Sequence, residues 1–214
     1  MFEKVFSLNG TYAKVMNWLW NVLILSILWI VCCLPVVTIG ASSTAAYYAA
    51  AKVIRHQTGK IQSEFFSSFR LNLRQSILLT IPVLAVFVTV FLECVYLYSD
   101  PAVPLAVLYL FYAMALTVLI FSTYLWACLS RFSQTSLQLV RMSAIMTFRF
   151  LMTSILLLLL QIGVLLGIYL MPWGILLFPG IGFFLQTFLM EKILLRFSPA
   201  VSEDDPEAQK WYYQ

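Results

Sequence analysis

Residues 15–51 read VMNWLWNVLILSILWIVCCLPVVTIGASSTAAYYAAA and contain no Asp, Glu, Lys or Arg. A membrane-spanning helix needs about 20 mostly apolar residues, so this stretch is long enough for two of them. Pro35 and Gly40 lie near its middle. They favour a break there, and the hydroxyl residues that follow can cap a new helix. The stretch therefore predicts a hairpin of two membrane crossings, at about 16–35 and 38–54.

Three further stretches without charged residues supply the other predicted crossings. They cover residues 75–92, 101–130 and 150–190. The last is long enough for two crossings, and the sequence Met-Pro-Trp-Gly at 171–174 is a turn signal that includes a Trp suited to the membrane interface. The predicted crossings are 76–98, 103–127, 150–170 and 173–190.

The composition of the whole chain agrees with a membrane protein. Of 214 residues, 62% are hydrophobic and 10% are charged, and the mean hydropathy is +0.92. A soluble domain typically has about 25% charged residues, so a soluble globular domain and a disordered chain are both excluded. We expect one integral membrane domain over residues 1–214. Within it we predict cytoplasmic amphipathic, basic segments at 61–74 and 131–149 and a mobile acidic tail at 198–214.

The positions of the positive charges favour six crossings over five. With six, all 13 Lys and Arg residues fall on one side, and the other side holds only Glu93 and Asp100. With five, Lys4 and Lys14 move to the other side. The positive-inside rule therefore predicts an all-α bundle of six transmembrane helices with both termini in the cytoplasm. The alternative is five crossings plus a re-entrant helix at 38–54, and the sequence leaves open whether that segment fully crosses.

The sequence contains no pattern typical of catalysis or of cofactor binding. We find no phosphate-binding loop, metalloprotease motif or nucleophile elbow, so we do not expect an enzyme and assign no catalytic or cofactor-binding residue. The four cysteines lack CxxC spacing and His56 lies apart from them in the chain, so no metal site is expected either. Glu93 is the only acidic residue inside a predicted crossing. We interpret it as an interfacial carboxylate that reaches water, and a direct role for it stays open. Gln161 and Gln186 are expected to bridge helices.

Both polar segments have features of amphipathic helices. Residues 61–74 read IQSEFFSSFRLNLR, with aromatic residues at helical spacing and with Arg70 and Arg74 one turn apart. This pattern predicts a helix that lies on the inner membrane surface, or a docking surface for a partner protein. Residues 131–149 form a second such segment, which contains three arginines.

One part of the sequence resembles a known family. The matching residues are LPV at 34–36, TIGASST at 38–44, Tyr47-Tyr48, the Lys52 and Arg55 pair, a Phe-rich segment with Asn72, and LQTFL at 185–189. They resemble the YesL family of uncharacterised bacterial membrane proteins.

The resemblance implies a small multi-pass protein of the bacterial plasma membrane whose genes tend to neighbour those of carbohydrate ABC importers. The implied function is an accessory, non-catalytic subunit of an importer of oligo- or polysaccharides, which packs against the permease. The implied partners are ABC permease subunits, with their ATPase as a further candidate, and membrane lipids, but not nucleic acid. The family offers no catalytic residues. Residues 131–149 lack the acidic start and the glycine of the loop with which such permeases dock their ATPase, so this chain does not look like the permease itself.

The predicted partner interface combines a small-residue face with two basic side chains. Two alternatives stay open: an independent transporter of a neutral solute, along a path lined by hydroxyls and aromatic rings, and a membrane-tethered regulator of sugar uptake. The predicted interface residues are Gly40, Ala41, Ser42, Ala45, Ala46, Ala49, Arg70 and Arg74.

Overall fold

The computed structural model describes residues 11–99 and 104–197, and the regular structure of these residues is helical, without a strand. The predicted all-α class is therefore confirmed for this part of the chain, while the predicted acidic tail at 198–214 lies outside it. A π-helical turn, Ala50–Arg55, prolongs the second helix, and short 3-10 turns occur at Val36–Thr38 and Pro172–Leu176. The helices are α1 Thr11–Cys33, α2 Ile39–Ala49, α3 Ile61–Ser99, α4 Leu105–Arg131, α5 Ser136–Arg149, α6 Leu151–Leu170 and α7 Phe178–Phe197.

Helices α1, α3, α4, α6 and α7 have the length and composition of membrane-spanning helices. Each of these five contains one of the predicted crossings or most of it. The predicted crossing at 38–54 corresponds to α2 with its π-helical turn and is not among the five. The structure thus supports a multi-pass membrane protein. The five apolar segments are Tyr12–Cys33, Ile61–Tyr98, Leu105–Arg131, Leu151–Leu170 and Phe178–Phe197.

A tight turn joins α1 and α2. Helix α1 ends at Cys33, shortly before Pro35. Proline favours this end because it has no backbone N–H and disfavours a helical residue before it. The Thr38 hydroxyl donates to the carbonyl oxygens of Cys32 and Pro35 at 2.6 and 2.7 Å. Trp29 Nε1 donates to Ser43 Oγ at 3.2 Å. These bonds fix α1 and α2 as an antiparallel hairpin.

Helix α2 is almost completely buried and lies along the first half of α3. Gly40 lies against Thr80, in the middle of α3, and against Trp126 of α4. At the other end, Lys52 pairs with Glu64, in the first turn of α3, at 2.7 Å. The turn between α1 and α2 therefore reaches only the midpoint of α3.

Helix α3 is longer than a membrane crossing requires. Its 39 residues correspond to about 58 Å at 1.5 Å per residue, roughly twice the hydrocarbon thickness of a bilayer. Pro82 lies inside it, and membrane helices tolerate such prolines because neighbouring groups satisfy the freed backbone. Residues 61–74, the predicted surface helix, form the first part of α3 and are continuous with the crossing. Phe65 in this part is fully buried in a cluster with residues of α1 and α2.

The last helices complete the bundle. Thr135 and Gln138 form a capping box that starts α5. Helices α6 and α7 form an antiparallel hairpin, in which Phe150 at the start of α6 contacts Phe197 at the end of α7. The backbone N–H of Gly180 donates to Ser26 Oγ at 2.8 Å and ties α7 to α1.

Candidate functional site

A cavity of about 320 Å³ lies between α1, α2, α4, α6 and α7. Aromatic and aliphatic side chains form most of its wall, including Trp29 and Trp126. No charged side chain lines it among the residues that the structure describes. Its polar groups are hydroxyls and carboxamides, which belong to Ser43, Tyr47, Ser122, Thr123, Gln161 and Gln186.

Gln161 has unused hydrogen-bonding capacity inside the cavity. Its Nε2 donates to Thr123 Oγ1 at 2.6 Å and so joins α6 to α4, as the sequence predicts for this residue. Thr123 in turn donates to the carbonyl oxygen of Leu119 at 3.0 Å. The Gln161 Oε1 atom is buried and has no hydrogen-bond partner within the described protein. Gln161 Oε1 is therefore a free acceptor in the cavity.

A buried ion pair lies next to the cavity. Tyr47 lines the cavity, and its hydroxyl donates to Glu191 Oε1 at 3.3 Å. The same Glu191 oxygen accepts a hydrogen bond from the Arg131 guanidinium. The side chains of Arg131 and Glu191 are only 4% and 3% exposed. This pair joins the end of α4 to α7, where both charges are shielded from solvent.

This ion pair is not apparent from the sequence. The predicted sixth crossing ended at 190, one residue before Glu191, and Arg131 was assigned to a cytoplasmic segment. The two residues are 60 positions apart, so no local spacing relates them. The only indication in the sequence is that Arg131 and Glu191 each directly follow a long stretch without charged residues.

A second polar cluster secures the end of α2. The π-helical turn places Lys52 against Glu64 of α3 and Arg55 against α7. Arg55 donates to the carbonyl oxygen of Thr187 at 2.6 Å, and its guanidinium lies 4.9 Å from the centre of the Phe188 ring. The two basic residues thus bind α2 to two different helices.

The turn after α2 contains His56, whose pKa is lowered, and Gly59, whose φ is positive. Burial lowers the pKa of His56 below its ordinary value, so the imidazole is neutral near pH 7. Gly59 has a φ of +85°, a conformation that glycine adopts at little cost. The neutral His56 adds no positive charge beside Arg55 and Arg131.

The structure separates the predicted interface residues into two groups. The six small residues, from Gly40 to Ala49, are buried inside the chain, and intramolecular packing accounts for this face. Arg70 and Arg74 are exposed on the first half of α3. Arg70 lines a shallow groove together with Phe66 and Leu71, which are 43% and 84% exposed. A partner at the small-residue face stays a prediction, but only the basic face is accessible in this conformation.

Other residues singled out from the sequence do not join the cavity. Glu93 is exposed near the end of α3, and its position at the membrane interface stays a prediction. Within residues 11–99 and 104–197 no group of His, Cys, Asp and Glu side chains is arranged to hold a metal ion. The four cysteines, Cys32, Cys33, Cys94 and Cys128, are free thiols.

The C-terminal half of α3 and the N-terminal half of α4 form an exposed hairpin at the periphery of the helix bundle, which we call the outer hairpin and define as residues 81–98 and 105–116. Most of its side chains are exposed, whereas Val90 and Cys94 are buried. A groove of about 310 Å³ between its two helices is lined by aromatic residues such as Phe91 and Tyr112. Lipid or another protein must cover this apolar surface in a membrane.

Comparisons with known proteins identify one similarity. A family model described as "Protein of unknown function, DUF624" matches residues 15–94. The first part of this chain, from α1 to most of α3, is thus similar to an uncharacterised family. No curated protein matches the chain, and no solved structure matches it.

Proposed function

We propose that this chain is an accessory, non-catalytic subunit that packs against the membrane permease of a carbohydrate ABC importer in a bacterial plasma membrane. The choice of a carbohydrate importer rests on the resemblance of residues 34–79 to the YesL family. The observation that carries a role in assembly is the outer hairpin, which exposes two apolar helices that the rest of the described chain leaves largely uncovered.

The chemistry of the outer hairpin suits a helix partner. Phe91, Tyr98 and Tyr112 line a groove between two helices, and large aromatic side chains are enriched in protein interfaces. The exposed Arg70 and Arg74 supply a basic site at the opposite end of α3. A permease that contacted both sites would be held at two places along one helix of 39 residues.

We further propose that both termini lie in the cytoplasm. The positive-inside rule supports this orientation. In a variant without native cysteines, we expect Trp173→Cys to react with a membrane-impermeant maleimide in intact cells. Gln57→Cys should react only after permeabilisation. Both positions are exposed turns, with Trp173 at 87% exposure, so a difference in labelling reports the side of the membrane. The reverse pattern would contradict the orientation.

A third single-cysteine variant distinguishes the two interpretations of α2, a full crossing and a re-entrant helix. Leu34 lies in the turn between α1 and α2 and is 76% exposed. Labelling of Leu34→Cys in intact cells is expected if α2 is a full crossing. Protection is expected if the chain has five crossings and α2 is re-entrant, because the turn between α1 and α2 would then lie on the cytoplasmic side.

The assembly itself is tested by affinity purification from the native host in mild detergent, with mass spectrometry of the proteins recovered. We expect ABC permease subunits in stoichiometric amounts. The double variant Arg70→Glu and Arg74→Glu should lower their recovery at least several-fold. Its matched control is Arg141→Glu with Arg149→Glu, which reverses two exposed arginines on α5 and should leave recovery unchanged.

Three outcomes would count against parts of this proposal. Recovery of the chain alone, under conditions that preserve other membrane complexes, would favour the independent transporter of a neutral solute, for which flux into liposomes is the next measurement. Equal losses in both double variants would assign the effect to net charge and would exclude a specific role for Arg70 and Arg74. If the Arg70→Glu and Arg74→Glu variant loses its contact with anionic lipid but still recovers the permease, the membrane-tethered regulator is favoured.

A further inference from the structure

The cavity between α1, α2, α4, α6 and α7 has an unmet hydrogen-bonding requirement. Gln161 Nε2 is engaged by Thr123, whereas Gln161 Oε1 is buried without a partner. A buried carbonyl oxygen without a donor is costly, and native proteins seldom leave one unpaired. A ligand that brings an O–H or N–H group to this position would remove that cost.

The walls of the cavity restrict the rest of the ligand. No charged side chain lines it in the described ranges, and most of the lining is aliphatic or aromatic. A charged group would therefore lose its hydration without gaining a partner. The volume of about 320 Å³ accommodates roughly ten groups the size of a water molecule or a methylene. The site thus fits an uncharged polar end followed by a short length of hydrocarbon.

The cavity is also accessible from the apolar surface of the chain. Leu165 of α6 lines it and is 64% exposed, so the side chain stands at the mouth. Leu166, the next residue, is 54% exposed but is not part of the lining. The other exposed residues around this part of α6, such as Ile162 and Tyr169, face the lipid if α6 crosses the membrane. A ligand reaches the mouth from the bilayer.

We propose that this cavity binds one molecule of an uncharged lipid that carries a free hydroxyl, of the diacylglycerol type, with its hydroxyl donating to Gln161 Oε1. The glycerol end and the first part of one acyl chain occupy the cavity, and the remainder of the lipid lies outside the mouth. A free sugar fits less well, because the aliphatic wall would leave most of its hydroxyls without partners. The proposal does not depend on the identity of any protein partner.

Native mass spectrometry of the purified chain tests the proposal, with 1,2-dioctanoylglycerol as the probe. We expect one saturable binding event. The methyl ether of the same lipid cannot donate a hydrogen bond, so its half-saturation concentration should be higher by about three- to tenfold. Glucose, tested in parallel, should not bind. Equal binding of the alcohol and its ether, or binding of glucose alone, would overturn the proposal.

Protein variants locate the probe. Gln161→Leu should abolish the difference between the alcohol and the ether, whereas Gln75→Leu, which removes a partly exposed glutamine that is not part of the cavity lining, should preserve it. Leu165→Trp should block the mouth and weaken binding of both lipids, and Leu166→Trp should not. Both leucines are exposed, so neither change disturbs the interior. Unchanged binding in Leu165→Trp would place the lipid elsewhere, even if Gln161→Leu fails to fold.

Discussion

Replacing Glu191 with Ala is expected to destabilise the chain by about 3–5 kcal/mol, because it leaves the Arg131 guanidinium buried without its counter-charge. Arg131 and Glu191 are 4% and 3% exposed, so water cannot compensate. The Tyr47 hydroxyl loses its acceptor at the same time. Reversible unfolding in mixed micelles, followed by circular dichroism, measures the change in the free energy of unfolding.

Matched variants separate the loss of the pair from the loss of a carboxylate. Glu93→Ala removes an exposed carboxylate from a membrane helix and should change stability by less than about 0.5 kcal/mol. The double variant Arg131→Met with Glu191→Met replaces both charges with apolar groups and should recover most of the loss. If Glu191→Ala costs no more than Glu93→Ala, the ion pair does not hold α4 to α7.

The double variant also tests whether the pair matters for the adjacent cavity. Tyr47 both lines the cavity and donates to Glu191, so its ring position depends on that carboxylate. A stable double variant that no longer distinguishes the alcohol probe from its ether would show that the pair positions the cavity wall. If the double variant still distinguishes the alcohol probe from its ether, the ion pair has a role in stability only.

The sequence predicts those parts of the fold that depend on a single local stretch of the chain. Long apolar stretches and the prolines between them predicted α1, α4, α6 and α7, because a helix of about 20 apolar residues has few alternatives in a membrane. The continuity of α3 could not be derived this way. Arg70 and Arg74 indicated a surface segment, whereas the burial of Phe65 against α1 and α2 keeps the same residues in one helix with the crossing.

The cavity and the ion pair could not be predicted for a different physical reason. Gln161 and Thr123 are 38 positions apart, and Tyr47 and Glu191 are 144 apart. Each contact depends on how separate helices pack, which single-sequence periodicity does not report. The small residues of α2 were recognised as a packing face, and within the chain Gly40 packs against α3 and α4, whereas Ala45, Ala46 and Ala49 share a cluster with residues of α1 and α3.

Replacing Gly40 with Ala is expected to destabilise the chain by about 1–3 kcal/mol, because the added methyl group would overlap neighbouring atoms. A Cβ atom at Gly40 would meet Thr80 Oγ1 and the indole ring of Trp126 at distances shorter than van der Waals contact. Gly40→Leu should prevent folding altogether, because α2 could not approach α3 and α4. The free energy of unfolding of the alanine variant, and the yield of monodisperse protein for the leucine variant, check these results.

Gly163 provides the control for the Gly40 prediction, since a Cβ atom there would meet no atom within 4 Å. It also lies inside a helix, so Gly163→Ala should stabilise the chain by about 0.5–1 kcal/mol. In a Thr80→Ala background the Gly40→Ala change should cost less than in the natural sequence, because one of the two overlapping groups is gone. Equal effects at Gly40 and Gly163 would mean that α2 does not pack this closely. In that case the small-residue face would be free to bind a partner helix.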